Sequence, residues 1–212
     1  QGSADEAHAR HHDPNSDFLG MLKLWHFTHG LQEELSRNRF RKALQQNFIS
    51  FNRLREWYDV HRQLRQVADQ AGLKVKHSAN VGGNFVGANI DDKLYEPIHR
   101  ALLTGLLSNV AFRAERHEYN GAGGMRLAIW PGSGVFSSKP NWMMAAELVE
   151  TTKRYARTVA KIDPAWVEDA APHLVKRSYS NPRWDSKTAA AVGDERVSLF
   201  GLPVVPKRRV RI

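Results

Sequence analysis

Near the start of the chain, His8, His11, His12 and Asp13 are residue types that ligate divalent metals. His8 and His11 stand three apart, a spacing that sets two imidazoles on one helix face. A closed metal site needs a second ligand pair at a fixed offset, and none follows. The cluster reads as a solvated helix end, and His26 and His29 make no stronger case for a metal. Nucleophilic chemistry finds no better footing. Gly132-Ser133-Gly134 is an incomplete G-x-S-x-G, with no His–acid pair placed to activate the serine. Glu147, Glu150, Glu168 and Asp169 are paired carboxylates in sequence, and salt partnership explains them more simply than general acid–base work. No G-x-x-x-x-G-K-[ST] loop is present to cradle phosphates, and VGGNFVG at positions 81–87 lacks the lysine. The expected catalytic and metal-ligand sets are therefore empty.

Cations interleaved with aromatics are the chemistry that remains. Arg55, Arg62 and Arg65 lie off the apolar stripe of one predicted helix, and 55 and 62, seven apart, share a face. Lys153, Tyr155 and Arg157 alternate along one face of a predicted strand. Such sets neutralise phosphates through the cations and stack bases on the ring. The bland alternative is solvated charge and a packed tyrosine. Composition favours the first reading: the net charge of +9 and a pI near 10.0 call for a polyanionic partner, nucleic acid before membrane. Hydrophobic residues make up 42% of the 212, enough for a packed core in one large domain or two small ones. Absence of cysteine excludes disulfides and thiolate metal sites and is compatible with a cytoplasmic setting. No apolar run approaches roughly 18 residues, so no membrane-spanning helix is expected.

Several elements must position these residues. A helix capped by Asn15 or Ser16 should run to Gly30, burying Phe18, Leu22, Trp25 and His26. A second spans about Arg39–Gln46. The longest runs from Ser50, its N-cap, to Ala71, with Gly72 as the stop and Leu54, Trp57, Val60, Leu64, Val67 and Ala71 as one apolar stripe. Lys76–Ala88 reads as a Gly- and Asn-rich loop. Ile98–Val110 is a further helix with Pro97 in its first turn. It should feed a first barrel strand, Ala111–Tyr119, closed by a turn at Asn120–Gly124. Met125, Leu127 and Ile129 alternate with polar or small residues in the next strand, ended by Pro131, Gly132 and Gly134. Trp142–Thr151 is another, and Arg154–Ile162 a third, with Ala156, Thr158, Ala160 and Ile162 on one face. Asp163 and Pro164 then start a short helix. A curled sheet of this kind suits a small Greek-key barrel of the OB type. Beyond Pro172, Arg177–Trp184 is extended. Ala189–Val192 and Val197–Phe200 are short strands split by Gly193-Asp194. The basic run Lys207, Arg208, Arg209 and Arg211 is a strand or tail with unsatisfied edges.

The succession IWPGSGVF, PNWMMAAELVETTKRYAR and IDPAWVEDAAPHL resembles the C-terminal auxiliary region of DEAH-box RNA helicases. RSYSNPRW and SLFGLPVVPKRRV resemble its bacterial HrpA-type branch. Within the Ser50–Ala71 helix, Leu54-Arg55, Asp59-Val60 and Gln63-Leu64 resemble the long helix of the family's ratchet domain. The resemblance implies an α+β chain. Residues 1–7 are tag or linker, 8–109 a helical ratchet-like domain, 110–176 an OB-fold barrel and 177–212 a β extension. It implies single-stranded RNA contact through Arg55, Arg62, Arg65, Ser133, Lys153, Tyr155 and Arg157, with Ser133 in the family's Pro-Ser loop. It implies packing on RecA-like motor and winged-helix domains of the same parent, with ATP and Mg²⁺ bound there and no cofactor here. An activator protein on the barrel is the family's further possibility, and an OB-type binding or docking module without a motor is the alternative. Asp5-Glu6-Ala7-His8 spells the helicase motif, but no hydrophobic strand precedes it to place its acids beside a nucleotide, so it reads as the polar start of a helix. Gln1-Gly2-Ser3 reads as a cloning scar, and the chain as a fragment of a longer protein.

Overall fold

A computed structural model describes residues 2–73, 92–115 and 117–212. The predicted loop at Lys76–Ala88 lies outside the described residues. The chain divides into two compact units. One takes in the described residues up to His12 and from Leu19 to Leu73, the other Asp13–Phe18 and those from Asp92 onward.

The first unit is helical: α1 (Gly2–Ala9), α2 (Asp17–Glu34, from Leu19), α3 (Arg37–Gln46) and α4 (Phe51–Gln70). The first of these holds the Asp5–His8 motif in helix, with no buried residue. Phe40, Leu44 and Leu54 form the core, with Leu31, Leu35, Ile49, Phe51, Trp57 and Tyr58 packed around them. Trp25 lies edge-on to Trp57 and Tyr58, at centroid distances of 5.1 and 4.9 Å. Ser50 caps α4 by accepting from the Arg53 N–H at 3.4 Å, and Gly72 at φ +75° ends it in the left-handed region that glycine tolerates. The predicted apolar stripe is covered only along its first part. The core cluster reaches α4 through Phe51, Leu54, Trp57 and Tyr58, and beyond that Val60, Leu64 and Val67 are 50–63% exposed. Periodicity reports which face is apolar, not whether a neighbour covers it. In α2 the residues that are fully buried are Leu19 and Thr28; the predicted Leu22, Trp25 and His26 are partly exposed.

The second unit opens with α5 (Asp92–Leu106), which starts earlier than predicted, so Pro97 sits inside the helix rather than in its first turn. Five strands follow: β1 (Val110–Arg113), β2 (Tyr119–Gly121), β3 (Arg126–Ile129), β4 (Trp142–Glu150) and β5 (Arg154–Lys161). They close in the order β1-β2-β3-β5-β4, with β3 and β5 parallel and every other pair antiparallel. This is an OB-fold barrel within an α+β chain, as expected. The predicted single strand Ala111–Tyr119 is in fact β1 and β2, hairpin partners whose Arg113 pairs with Tyr119. Alternation holds where strands are regular. Met143 and Ala145 fill the barrel with Leu127, Ile129 and Tyr119, whereas Met144 faces an outer core of Leu103, Val110 and Val167. Along β5 the expected alternation breaks. Ala156 and Val159, three apart, both line the barrel, and Ala160 and Ile162 join the outer core. Thr158 between them has φ +53°, which resets the phase of the strand.

Helix α6 (Ala165–Ala170) follows, its start held by the Asp163 carboxylate accepting from the Ala165 N–H at 2.9 Å. A second antiparallel sheet then runs β6 (Lys176–Asp185), β7 (Ala190–Leu199), β8 (Leu202–Arg211). Gly193-Asp194, predicted to separate two short strands, pairs with Val210 and Arg209 in the middle of one continuous β7. Its turn-forming residue types are overridden by packing and charge. A Cβ on Gly193 would come within 3.3 Å of the Ser180 carbonyl oxygen. Asp194, 3% exposed, is bound by Asn181 at 3.0 Å and by Arg183 and Lys207 at 3.2 Å each. Phe200 and Gly201, at φ +47° and +85°, make the two-residue turn into β8. The basic C-terminal run is an ordered strand with its charges engaged: Arg208 bonds Glu168 and Glu195, and Arg209 reaches Asp185 at 2.6 Å.

Candidate nucleic-acid interface

The segment between β3 and β4 is pinned to the barrel by one carboxylate. Asp17 accepts from the Ser133 hydroxyl at 2.6 Å, the Gly134 N–H at 2.9 Å and the Val159 N–H at 2.8 Å. The third bond satisfies the amide that follows Thr158, whose positive φ is costly for a β-branched residue and persists only when its surroundings fix it. Ser133 uses its proton on Asp17 while its oxygen accepts from the Val135 N–H at 3.1 Å. The serine thus shapes the loop from within.

That loop begins with Trp130, whose N–H continues the β3–β5 pairing by donating to the Ala156 carbonyl at 3.0 Å. Its indole stands edge-on to Tyr155 at 5.2 Å and under the Arg157 guanidinium at 4.5 Å. Gly132 is small for a reason, since a Cβ there would lie 3.0 Å from the indole nitrogen. Arg157 also faces Glu147 at 3.8 Å, a long and exposed pair that leaves most of its charge to solvent. Lys153 is exposed at the turn joining β4 to β5. Two partly exposed rings, a guanidinium stacked on one of them and a nearby ammonium make a platform for stacking a planar base beside a phosphate.

The structure therefore gathers Tyr155 and Arg157, with Lys153 two residues before Tyr155 in the β4–β5 turn and Ser133 in the adjoining loop. Arg55, Arg62 and Arg65 belong to the helical unit. Arg55 and Arg62 are exposed on α4, Arg62 paired with Asp59 at 2.7 Å, and Arg65 is partly buried. Two residues of the barrel site escaped the sequence reading. Trp130 stood inside the quoted IWPGSGVF run, but nothing local tied it to a strand far along the chain. Asp17 reads from sequence as an ordinary acid in the first turn of a helix.

The OB fold described as oligonucleotide/oligosaccharide-binding matches residues 98–174. "ATP-dependent RNA helicase HrpA" of Escherichia coli is 43% identical over 99% of this chain, and its homolog in Haemophilus influenzae 41% identical over the same share. The chain is similar to HrpA along nearly all of its own length. It spans about 15% of the length of both relatives. Among solved structures, the E. coli DExH-box NTPase HrpB aligns with a TM-score of 0.39 and 18% identity over 56% of this chain and 14% of that one, a loose likeness.

Proposed function

We propose that this chain is an auxiliary part of an ATP-dependent RNA helicase of the HrpA type, acting in the cytoplasm, and that its own share is to hold single-stranded RNA. The Trp130–Tyr155–Arg157 platform on an OB barrel carries the reading. On it Tyr155 and Trp130 stack bases, Arg157 and Lys153 neutralise phosphates, and Ser133 and Asp17 hold the loop in place. Arg55, Arg62 and Arg65 on α4 supply further phosphate contacts. ATP and Mg²⁺ belong to RecA-like motor domains of the parent, because no phosphate loop occurs in this sequence. The chain alone should therefore not hydrolyse ATP.

One observation favours a protein-packing role alongside. Val60, Leu64 and Val67 form an exposed apolar row on α4 that suits burial against the motor or winged-helix domains of the parent, or against an activator. The test of RNA holding is oligoribonucleotide binding by Tyr155→Ala. Loss of a stacked base should weaken binding by about 1–3 kcal/mol. Unchanged affinity in a protein that does bind RNA would remove Tyr155 from the site.

A further inference from the structure

Six residues beyond Tyr155, about 20 Å along the strand, β5 ends at Lys161. Three strand termini meet there. Arg113 closes β1, Trp142 opens β4, and the register pairs Phe112 with Trp142 and Lys161 with Met143. Between these ends and the first turn of α6 lies an open cavity of about 890 Å³, within the size range of small-ligand pockets.

The lining is of two kinds. Trp142, Trp166 and Tyr95 supply aromatic wall. Tyr95 is fixed, its ring stacked on His99 at 3.9 Å and its hydroxyl 2.7 Å from the Lys161 carbonyl oxygen and 2.9 Å from that of Asn15. The rest is charge: the cations Arg113, Lys139 and Lys161 against one carboxylate, Asp163, already bound to the α6 N-terminus. Arg113 spends its N–H groups on neutral oxygens, the Lys139 carbonyl at 2.8 Å and the Asn141 side chain at 2.6 Å, so its charge is not cancelled. Those bonds brace Lys139, which holds φ +45°. Among the described residues neither Lys139 nor Lys161 has an ion-pair partner.

We propose that this cavity holds an unstacked nucleotide of single-stranded RNA, with its base against Trp142 and Trp166 and its phosphates among Lys139, Lys161 and Arg113. The proposal rests on the RNA-holding reading and adds a second contact at the other end of β5. An excess of two positive charges selects an anion. The aromatic wall selects one that carries a planar ring at every unit, as single-stranded RNA does and an acidic peptide need not. A strand touching both ends of β5 stays within the roughly 4–16 nucleotides that one OB fold covers.

The test measures binding of a fluorescein-labelled oligouridylate over a salt series, for the wild type and for Lys139→Gln/Lys161→Gln. Glutamine removes the charge while leaving a polar side chain one atom shorter, and a matching circular dichroism spectrum checks the fold. The expected result is a salt slope lower by about 1.4 for the double variant, two contacts at roughly 0.7 each. A 4-thiouridine version of the oligonucleotide should crosslink to peptides holding Trp142 or Trp166. An unchanged slope with crosslinks only near Tyr155 overturns the cavity and leaves the RNA-holding reading standing. No binding by the wild type at any salt overturns both. Polyglutamate binding that the double variant loses and oligouridylate does not displace assigns the cavity to a protein partner instead.

Discussion

Replacing Asp17 by alanine should loosen the barrel where the loop meets β5. The carboxylate accepts three hydrogen bonds, two of them from the backbone N–H groups of Gly134 and Val159. The Ser133 hydroxyl can turn to another acceptor; the two amides cannot. A hydrogen bond to a charged group contributes about 1.5–3 kcal/mol. Counting only the two amides at the lower figure gives a loss of about 3 kcal/mol, and for a chain of this size a fall in Tm of about 6–12 °C. Asp17→Asn keeps one acceptor oxygen and turns an NH₂ toward one amide, so it should lose about half as much. Thermal unfolding by circular dichroism gives the global effect. The chain has two compact units, so amide hydrogen exchange at Val159 and Gly134, which reports opening of this loop alone, is the sharper probe. Both should exchange faster in Asp17→Ala. Wild-type protection at both positions, with an unshifted Tm, would refute the idea that Asp17 holds the loop and offsets the strain at Thr158.

Trp166 packs from α6 onto the outer core, and Trp166→Ala should cost about 3 kcal/mol, the lower end for a truncated tryptophan because the ring is partly exposed; a melting curve overlaying the wild type would show that the ring contributes nothing to that core. Arg62→Ala should leave stability within about 0.5 kcal/mol of the wild type, since the Arg62–Asp59 pair is exposed, as denaturant unfolding will check. Acid should weaken the β6–β8 sheet. Hydrogen bonds from Asn181 and Arg183 hold Asp194 well below the usual carboxylate range, and Arg208 lowers Glu168; burial pushes Glu195 up, but Arg208 and Tyr179 outweigh it. Depressed folded values mean that this stabilisation is complete above the unfolded pKa of about 4 and is lost as pH falls through the folded values. In an acid titration, Asp194→Asn should be less stable than the wild type at neutral pH and converge with it at low pH. A constant gap at every pH would rule that linkage out.

Much of the barrel was legible because its strands obey period two wherever one face is buried: Leu127 and Ile129 went inward as their spacing required. Legibility failed where one residue changes the phase. Nothing in RYARTVAK marks Thr158 as the point where β5 turns, since the acceptor that secures the next amide comes from Asp17, far back in sequence. Gly193-Asp194 failed for a related reason. Turn-forming residue types are a local signal, whereas the cations that make Asp194 at home in a strand arrive from β6 and β8. The site was half readable. Tyr155 and Arg157 share a strand, so alternation revealed them, but Trp130 joins them only through the parallel β3–β5 pairing. The C-terminal run was legible as a basic strand or tail, but its ion pairs were not, because its carboxylate partners sit on α6, β6 and β7.

If the Trp130–Tyr155 face holds single-stranded RNA, as proposed, its side chains set both the affinity and the salt dependence of binding. The most direct measurement is oligouridylate affinity over a salt series for the wild type, Lys153→Ala/Tyr155→Ala, and Lys187→Ala as a control in the β6–β7 turn. The double variant should lose about 0.7 of salt slope from one phosphate contact and about 1–3 kcal/mol from one stacked base, while Lys187→Ala matches the wild type. Equal slopes and affinities in all three proteins, or equal losses in both variants, would contradict it.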